Sequence, residues 1–187
     1  MPSRTVLLNP GPVNISDRVR RALLRADICH REDDFSHLMA SIRARLLQLF
    51  APHGFTPVLV TGSGTAALEA AVSSSVEEGR ALAVVVNGVY GERICQIGSS
   101  HGIRVVPVRS EWTAPPDLDR LEAALRQDPM IQVVALVHHE TTTGLINPVA
   151  QVGRLARAYG RSFLVDSISG LGGEPLDLEA ASVDLCV

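Results

Sequence analysis

From residue 57 onward the chain alternates short apolar runs with segments of helical periodicity. The apolar runs predict five strands, at 57–61, 81–87, 104–108, 131–137 and 162–165. Helical patterns separate them, at about 66–76, 88–101, 118–126 and 149–159. Strands that are apolar along their whole length and alternate with helices are typical of a mostly parallel sheet with helices on both faces. The pattern therefore predicts the α/β class.

The ends of the chain differ from this pattern. Ser16 suits the N-cap of a short first helix, and a second helix with regularly spaced apolar residues is predicted at about 34–50. We expect residues 1–50 to form an arm before a partial large domain at 51–187. The arm is either a subunit contact or plain core packing. The run 183–187 begins like a strand without a cap or turn, so we expect the domain to be incomplete at its C-terminus.

Composition excludes several classes of protein. With 46% hydrophobic and 20% charged residues and a net charge of −3, the chain is globular. All 17 basic residues are arginines scattered among acids, so no basic stripe for nucleic acid is present. Three distant cysteines without CxxC spacing argue against a disulfide framework or zinc site. No signal peptide or membrane span is visible, and we expect a cytoplasmic location.

The segment from Thr61 to Ala66 reads Thr-Gly-Ser-Gly-Thr-Ala between a predicted strand and helix. Backbone N–H groups in such a glycine loop approach anions closely, and the helix N-terminus favours negative charge. The loop lacks the sequences of a Walker A or dinucleotide motif. It is either a phosphate site built on Ser63, Gly64 and Thr65 or a structural turn.

Polar residues follow two other predicted strands. Asp166 stands at the carboxyl end of a strand, where ligands bind in open α/β sheets, although an N-cap or a surface acid would look the same. The run from His138 to Glu140 invites a metal interpretation, but adjacent histidines on an extended chain project to opposite faces and chelate poorly. Thr141 and the two threonines after it offer hydroxyl groups to a ligand. Tyr90, between two glycines, is either a ring-stacking residue or a packed tyrosine.

Together these segments resemble the class V aminotransferase family of fold type I, with the strongest likeness to 2-aminoethylphosphonate:pyruvate transaminases and then to serine–pyruvate and alanine–glyoxylate transaminases. The resemblance rests on the order and spacing of the motifs that begin at Leu7, Thr61, Asn87, Val137 and Val165. It implies the large domain of a pyridoxal-phosphate-dependent transferase. It also implies a homodimer that passes the amino group of a small-molecule donor to pyruvate.

The resemblance also assigns roles to individual residues. Ser63, Gly64 and Thr65 would hold the cofactor phosphate. Tyr90 and Ile168 would pack on opposite faces of its ring. The other two cofactor contacts would be Thr141 near the phenolic oxygen and Asp166 at the ring nitrogen. Gly11 is a weaker candidate beside the substrate.

The chain departs from the family because it contains no lysine. By the family's register, the Schiff-base lysine and the arginine that binds the substrate's acidic group belong beyond Val187. We therefore expect these residues alone to be inactive. A lysine-free binding or dimerisation relative is the alternative from another class. A desulfurase or lyase is disfavoured because those enzymes tend to carry histidine at the position of Tyr90.

Overall fold

The structure is a computed structural model that describes residues 5–51 and 53–187. It divides into two compact units, the first ending at Val58 and the second covering Leu59–Val187. The first unit contains helices α1 (Asp17–Ala22) and α2 (Asp33–Phe50), and neither has a fully buried residue. Ser16 caps α1 as expected, because its hydroxyl accepts a hydrogen bond from the Val19 N–H at 3.3 Å. The expected division after residue 50 stays a prediction.

The second unit holds the alternating elements. Its four helices are α3 (Gly64–Ser75), α4 (Val89–Ser100), α5 (Leu118–Gln127) and α6 (Val149–Ala158). Its main strands are β1 (Ala81–Val86), β2 (Arg104–Arg109), β3 (Ile131–Val137), β6 (Ser162–Asp166) and β7 (Leu185–Cys186). A separate antiparallel pair consists of β4 (His139–Glu140) and β5 (Leu145–Ile146).

The five main strands form one sheet in the order β2-β1-β3-β6-β7, and every neighbouring pair is parallel. Parallel strands need crossover connections, and the helices between them provide these. The predicted α/β class is confirmed. The register pairs Val137 with Asp166, so the ends of β3 and β6 lie level with each other.

Both faces of the sheet are covered. Alternate residues of β1 and β3, such as Val84 and Ala135, pack in one core cluster with Leu68 of α3 and Ile94 of α4. The intervening residues face the side on which α6 packs against β3 and β6. Every residue of β1 is buried, which explains the uninterrupted apolar run of its sequence.

The predicted strand at 57–61 is wrong. Among the described residues this segment pairs with no other strand, and Val58, Leu59 and Val60 are 77%, 36% and 47% exposed. A strand exists only when its backbone groups find a partner, which an apolar sequence alone does not guarantee. The other predicted strands are confirmed, with bounds that shift by one or two residues at the ends.

Candidate functional site

The carboxyl ends of β1, β3 and β6 bring their following residues to one edge of the sheet. Asn87 and Gly88 follow β1, the segment from His138 to Glu140 follows β3, and Asp166 ends β6. Side chains from separate parts of the sequence therefore converge at the edge where open α/β sheets bind ligands.

The glycine loop leads directly into α3. Ser63 is the N-cap, and its hydroxyl accepts a hydrogen bond from the Ala66 N–H at 3.3 Å. The N–H groups of Gly64 and Thr65 have no acceptor among the described residues. Two backbone donors at the positive end of a twelve-residue helix remain available for an anion.

Ile168 joins this loop to Asp166. Its side chain lies over Gly64 so closely that a Cβ on the glycine would be 2.8 Å from the isoleucine Cδ1. Its backbone N–H donates to the Asp166 Oδ1 at 3.1 Å. A single half-exposed residue therefore lies between the helix N-terminus and the strand-end acid.

Asp166 is a buried carboxylate that is 4% exposed. Burial raises its pKa above the ordinary value, and nearby Glu140 raises the pKa further, whereas the hydrogen bond from Ile168 lowers it. No arginine or histidine in residues 5–51 and 53–187 forms an ion pair with either carboxylate. An uncompensated buried charge is costly, so the site favours a cationic group beside Asp166.

Glu140 is completely buried and meets the start of α4. Its carboxylate accepts hydrogen bonds from the Tyr90 N–H at 3.2 and 3.4 Å and from the Thr142 hydroxyl at 2.6 Å. The Val89 N–H donates in turn to the Thr142 Oγ1 at 3.4 Å. The helix cap at Gly88 has no side chain, and Glu140 supplies the missing acceptor from another element.

The remaining predicted residues have different surroundings. The Thr141 hydroxyl has no hydrogen-bond partner among the described residues, whereas the next two threonines bond to Glu140. The half-buried Tyr90 packs against the core, and the Arg93 guanidinium lies 5.4 Å from its ring centroid. Gly11 is exposed and belongs to the first unit, whereas all the other predicted site residues belong to the second.

The two histidines contact different residues of one segment, 167–169. The Nδ1 of the buried His138 lies 2.9 Å from the Ser167 hydroxyl, whereas the His139 Nδ1 lies 3.4 Å from the Ser169 carbonyl oxygen. Burial lowers the pKa of His138, which favours its neutral form. In the part of the chain that the structure describes, no three His, Cys, Asp or Glu side chains are grouped to hold a metal ion.

Sequence reasoning missed two structural features of this edge. Asn87 and Asn147 form a buried amide pair, with N···O distances of 2.8 and 3.2 Å, that ties the end of β1 to the segment before α6. Asn-Gly and Asn-Pro dipeptides are local turn signals and do not indicate a pairing between distant residues. The capping role of Glu140 was also missed, because its partner Tyr90 lies 50 residues away.

Comparisons with known proteins identify the family. The sequence profile of class-V aminotransferases matches residues 18–187. The chain is 39% identical to the 2-aminoethylphosphonate–pyruvate transaminase of Vibrio vulnificus over 189 aligned positions, covering 100% of this chain and 51% of that protein. The enzyme of the same name from Syntrophobacter fumaroxidans is 39% identical over 183 positions, covering 97% and 49%. This chain belongs to the class V aminotransferase family.

Comparison with solved structures supports the same family. The alanine–glyoxylate aminotransferase from a Nostoc species superposes with a TM-score of 0.90 at 33% identity, covering 100% of this chain and 50% of that one. The chain therefore spans about half the length of the relatives it matches. Family membership implies pyridoxal phosphate as the cofactor. In the described ranges 5–51 and 53–187, no helix is long and apolar enough to cross a membrane.

The residues present fit this cofactor. Its phosphate needs anion-binding N–H groups, and the start of α3 offers two without acceptors. Its protonated ring nitrogen needs a carboxylate, and Asp166 is buried with no ion-pair partner in the described part of the chain. The two features are joined through Ile168.

Proposed function

We propose that this chain is the cofactor-binding part of a transaminase that moves the amino group of 2-aminoethylphosphonate to pyruvate, giving phosphonoacetaldehyde and alanine. The identity to proteins of that name over the whole chain supports the reaction. The observation that carries the cofactor role is the buried carboxylate of Asp166, which has no ion-pair partner among the described residues and is linked through Ile168 to the start of α3.

The proposed roles follow from the contacts of each residue. The N–H groups of Gly64 and Thr65 bind the phosphate, with Ser63 fixing the turn as N-cap. Asp166 accepts the hydrogen bond of the ring nitrogen and keeps it protonated, so that the bound cofactor serves as an electron sink.

The other roles concern the ring's surroundings. Ile168 and Tyr90 enclose the ring from opposite faces, and the Thr141 hydroxyl donates to the phenolic oxygen. Gly11 is proposed to lie beside the substrate.

The chain contains no lysine, so an amine that holds the cofactor covalently has to come from residues outside it. We therefore propose that these 187 residues alone do not transaminate. The complete protein is proposed to act in the cytoplasm. It is also proposed to be a homodimer, and light scattering of the purified protein tests this oligomeric state.

The experiment is an assay of the complete protein with 2-aminoethylphosphonate, pyruvate and pyridoxal phosphate, with alanine as the measured product. The 187-residue chain is the matched control and is expected to form none. Alanine formation that does not depend on 2-aminoethylphosphonate would contradict the donor assignment. No transamination by the complete protein with any donor would contradict the enzyme assignment.

Two alternatives have specific support. The similarity to an alanine–glyoxylate aminotransferase favours a transaminase of the serine or alanine–glyoxylate type. Activity with serine or alanine and glyoxylate that exceeds activity with 2-aminoethylphosphonate would establish it.

The absence of lysine favours a non-catalytic binding or dimerisation relative. A native protein with an intact mass of 20.0 kDa would establish that alternative.

A further inference from the structure

Glu140 is a buried carboxylate that the proposed reaction does not use. Its exposed fraction is 0%, and no arginine or histidine in the described ranges forms an ion pair with it. Its hydrogen bonds come from the backbone of Tyr90 and the hydroxyl of Thr142. Each contact is one in which the carboxylate accepts, as an ionised carboxylate does. A buried charge kept at this cost needs a physical explanation.

The first consequence is mechanical. Glu140 lies so close to Gly88 that a Cβ on the glycine would be 2.7 Å from its Oε2 and would overlap its Cγ and Cδ. The carboxylate therefore occupies the place of a side chain at the first residue before α4. Because it accepts from the Tyr90 N–H, it fixes the first turn of that helix relative to β4. The position of the Tyr90 ring depends on this turn.

The second consequence is electrostatic. Glu140 follows β3 and Asp166 ends β6, two strands that are paired in parallel. The charge of Glu140 raises the pKa of Asp166, although this effect is smaller than that of burial and than the opposing effect of the hydrogen bond from the Ile168 N–H. Two carboxylates therefore lie at one edge of the sheet, and neither forms an ion pair with a cation among the described residues. A second fixed charge strengthens the preference of the site for a positively charged ligand atom.

We propose that Glu140 is a positioning residue of the cofactor site, which holds Tyr90 through the start of α4 and adds its charge to that of Asp166 in favour of a protonated ring nitrogen. This inference rests on the proposed function, because it concerns the site that the cofactor is proposed to occupy. It assigns a role in cofactor binding to a residue that does not itself contact the ring.

The test uses the complete protein with pyridoxamine 5′-phosphate, an analogue that binds without a covalent bond. Glu140→Gln keeps an oxygen for the Tyr90 N–H but removes the charge. Gly88→Ala keeps the charge but displaces the carboxylate, and the glycine φ of 178° is open to any residue. Glu122→Gln is the matched control, because Glu122 also accepts a hydroxyl hydrogen bond, from Tyr159, but lies on α5.

Three quantities are measured: the dissociation constant, the nitrogen-15 NMR shift of a labelled cofactor ring, and the melting temperature. We expect the Glu140→Gln protein to fold. It should bind the analogue about 10-fold more weakly, which is the effect of one lost charge-assisted interaction. The nitrogen signal of the ring should shift toward its unprotonated position. Gly88→Ala is expected to weaken binding by a similar factor. Glu122→Gln should leave the dissociation constant and nitrogen signal unchanged.

The outcomes separate this inference from the proposed function. A wild-type protein that does not bind the analogue contradicts both. A wild type that binds, together with wild-type affinity and an unchanged nitrogen signal in Glu140→Gln, contradicts the inference alone. A Glu140→Gln protein that fails to fold also contradicts it, because the amide is expected to preserve the helix cap.

Discussion

Replacing Asp166 with asparagine is expected to stabilise the cofactor-free protein while damaging its function. The carboxylate is 4% exposed, accepts one hydrogen bond from Ile168 at 3.1 Å, and has no ion-pair partner in the described ranges. Asparagine keeps an oxygen for that hydrogen bond and removes the buried charge. Leaving a buried charge unpaired costs more than leaving the neutral amide NH2 of asparagine without an acceptor, and the difference is about 1–3 kcal/mol. For a unit of the size of Leu59–Val187, we expect the melting temperature of the variant to exceed that of wild type by about 3–9 °C at pH 7.

The pH dependence fixes the sign of this effect. Burial raises the pKa of Asp166, so the folded state binds its proton more tightly than the unfolded chain does. Wild-type stability attributable to this group therefore falls as the pH rises through the raised pKa. The advantage of Asp166→Asn should vanish below the ordinary value of 3.8 and should grow as the pH rises from there toward the raised pKa.

The assay is thermal unfolding of wild type and Asp166→Asn without cofactor, from pH 7 down to the lowest pH at which both fold. In the complete protein, the variant should retain pyridoxal phosphate but lose turnover about 10- to 150-fold, the equivalent of one charge-assisted hydrogen bond of about 1.5–3 kcal/mol. A variant that melts at or below the wild-type temperature at pH 7 would refute the stability argument. Near-normal turnover would refute the role at the ring nitrogen.

Three further predictions concern other parts of the chain. Gly64→Ala should weaken binding of pyridoxamine phosphate about 10-fold in an equilibrium titration, because the new methyl group pushes Ile168 across the site; unchanged affinity would count against the placement of the cofactor ring beside Ile168. Gly153→Ala should lower the free energy of unfolding in urea by about 3 kcal/mol or more, because its Cβ would overlap the backbone oxygen of Ala181; a stability equal to wild type would contradict this packing. Iodoacetamide at pH 8 should modify Cys29, which is exposed, well before the other two thiols, and mass spectrometry of digests checks this. The other two thiols are those of Cys95 and Cys186, and burial raises the pKa of each to about 11. Equal labelling of all three would contradict their burial.

The fold was predictable wherever burial on both faces left a continuous apolar signature. Val84 lies in a run without polar residues, Ala135 lies in a run whose one polar residue is Gln132, and both runs form central strands. The same signature at Val58 and Leu59 failed, because sequence hydrophobicity reports a tendency to be buried and does not identify a strand partner. Local features, such as the N-cap at Ser16, do not depend on a distant partner, and this cap was predicted correctly.

The residues of the candidate site that carry local sequence signals could be predicted. Ser63 and Asp166 could be singled out because a glycine loop before a helix and an acid after a strand are local signals. The role of Glu140 depends on Gly88 and Tyr90, about fifty residues earlier, and on the parallel register that brings β1 and β3 together. A single sequence carries no signal for that convergence.

A crystal structure of the complete protein with pyridoxal phosphate tests the central claim most directly. We expect the phosphate at the N–H groups of Gly64 and Thr65, and the ring nitrogen within hydrogen-bond distance, about 3 Å, of an Asp166 carboxylate oxygen. A cofactor bound elsewhere, or a ring nitrogen facing away from Asp166, would contradict the account.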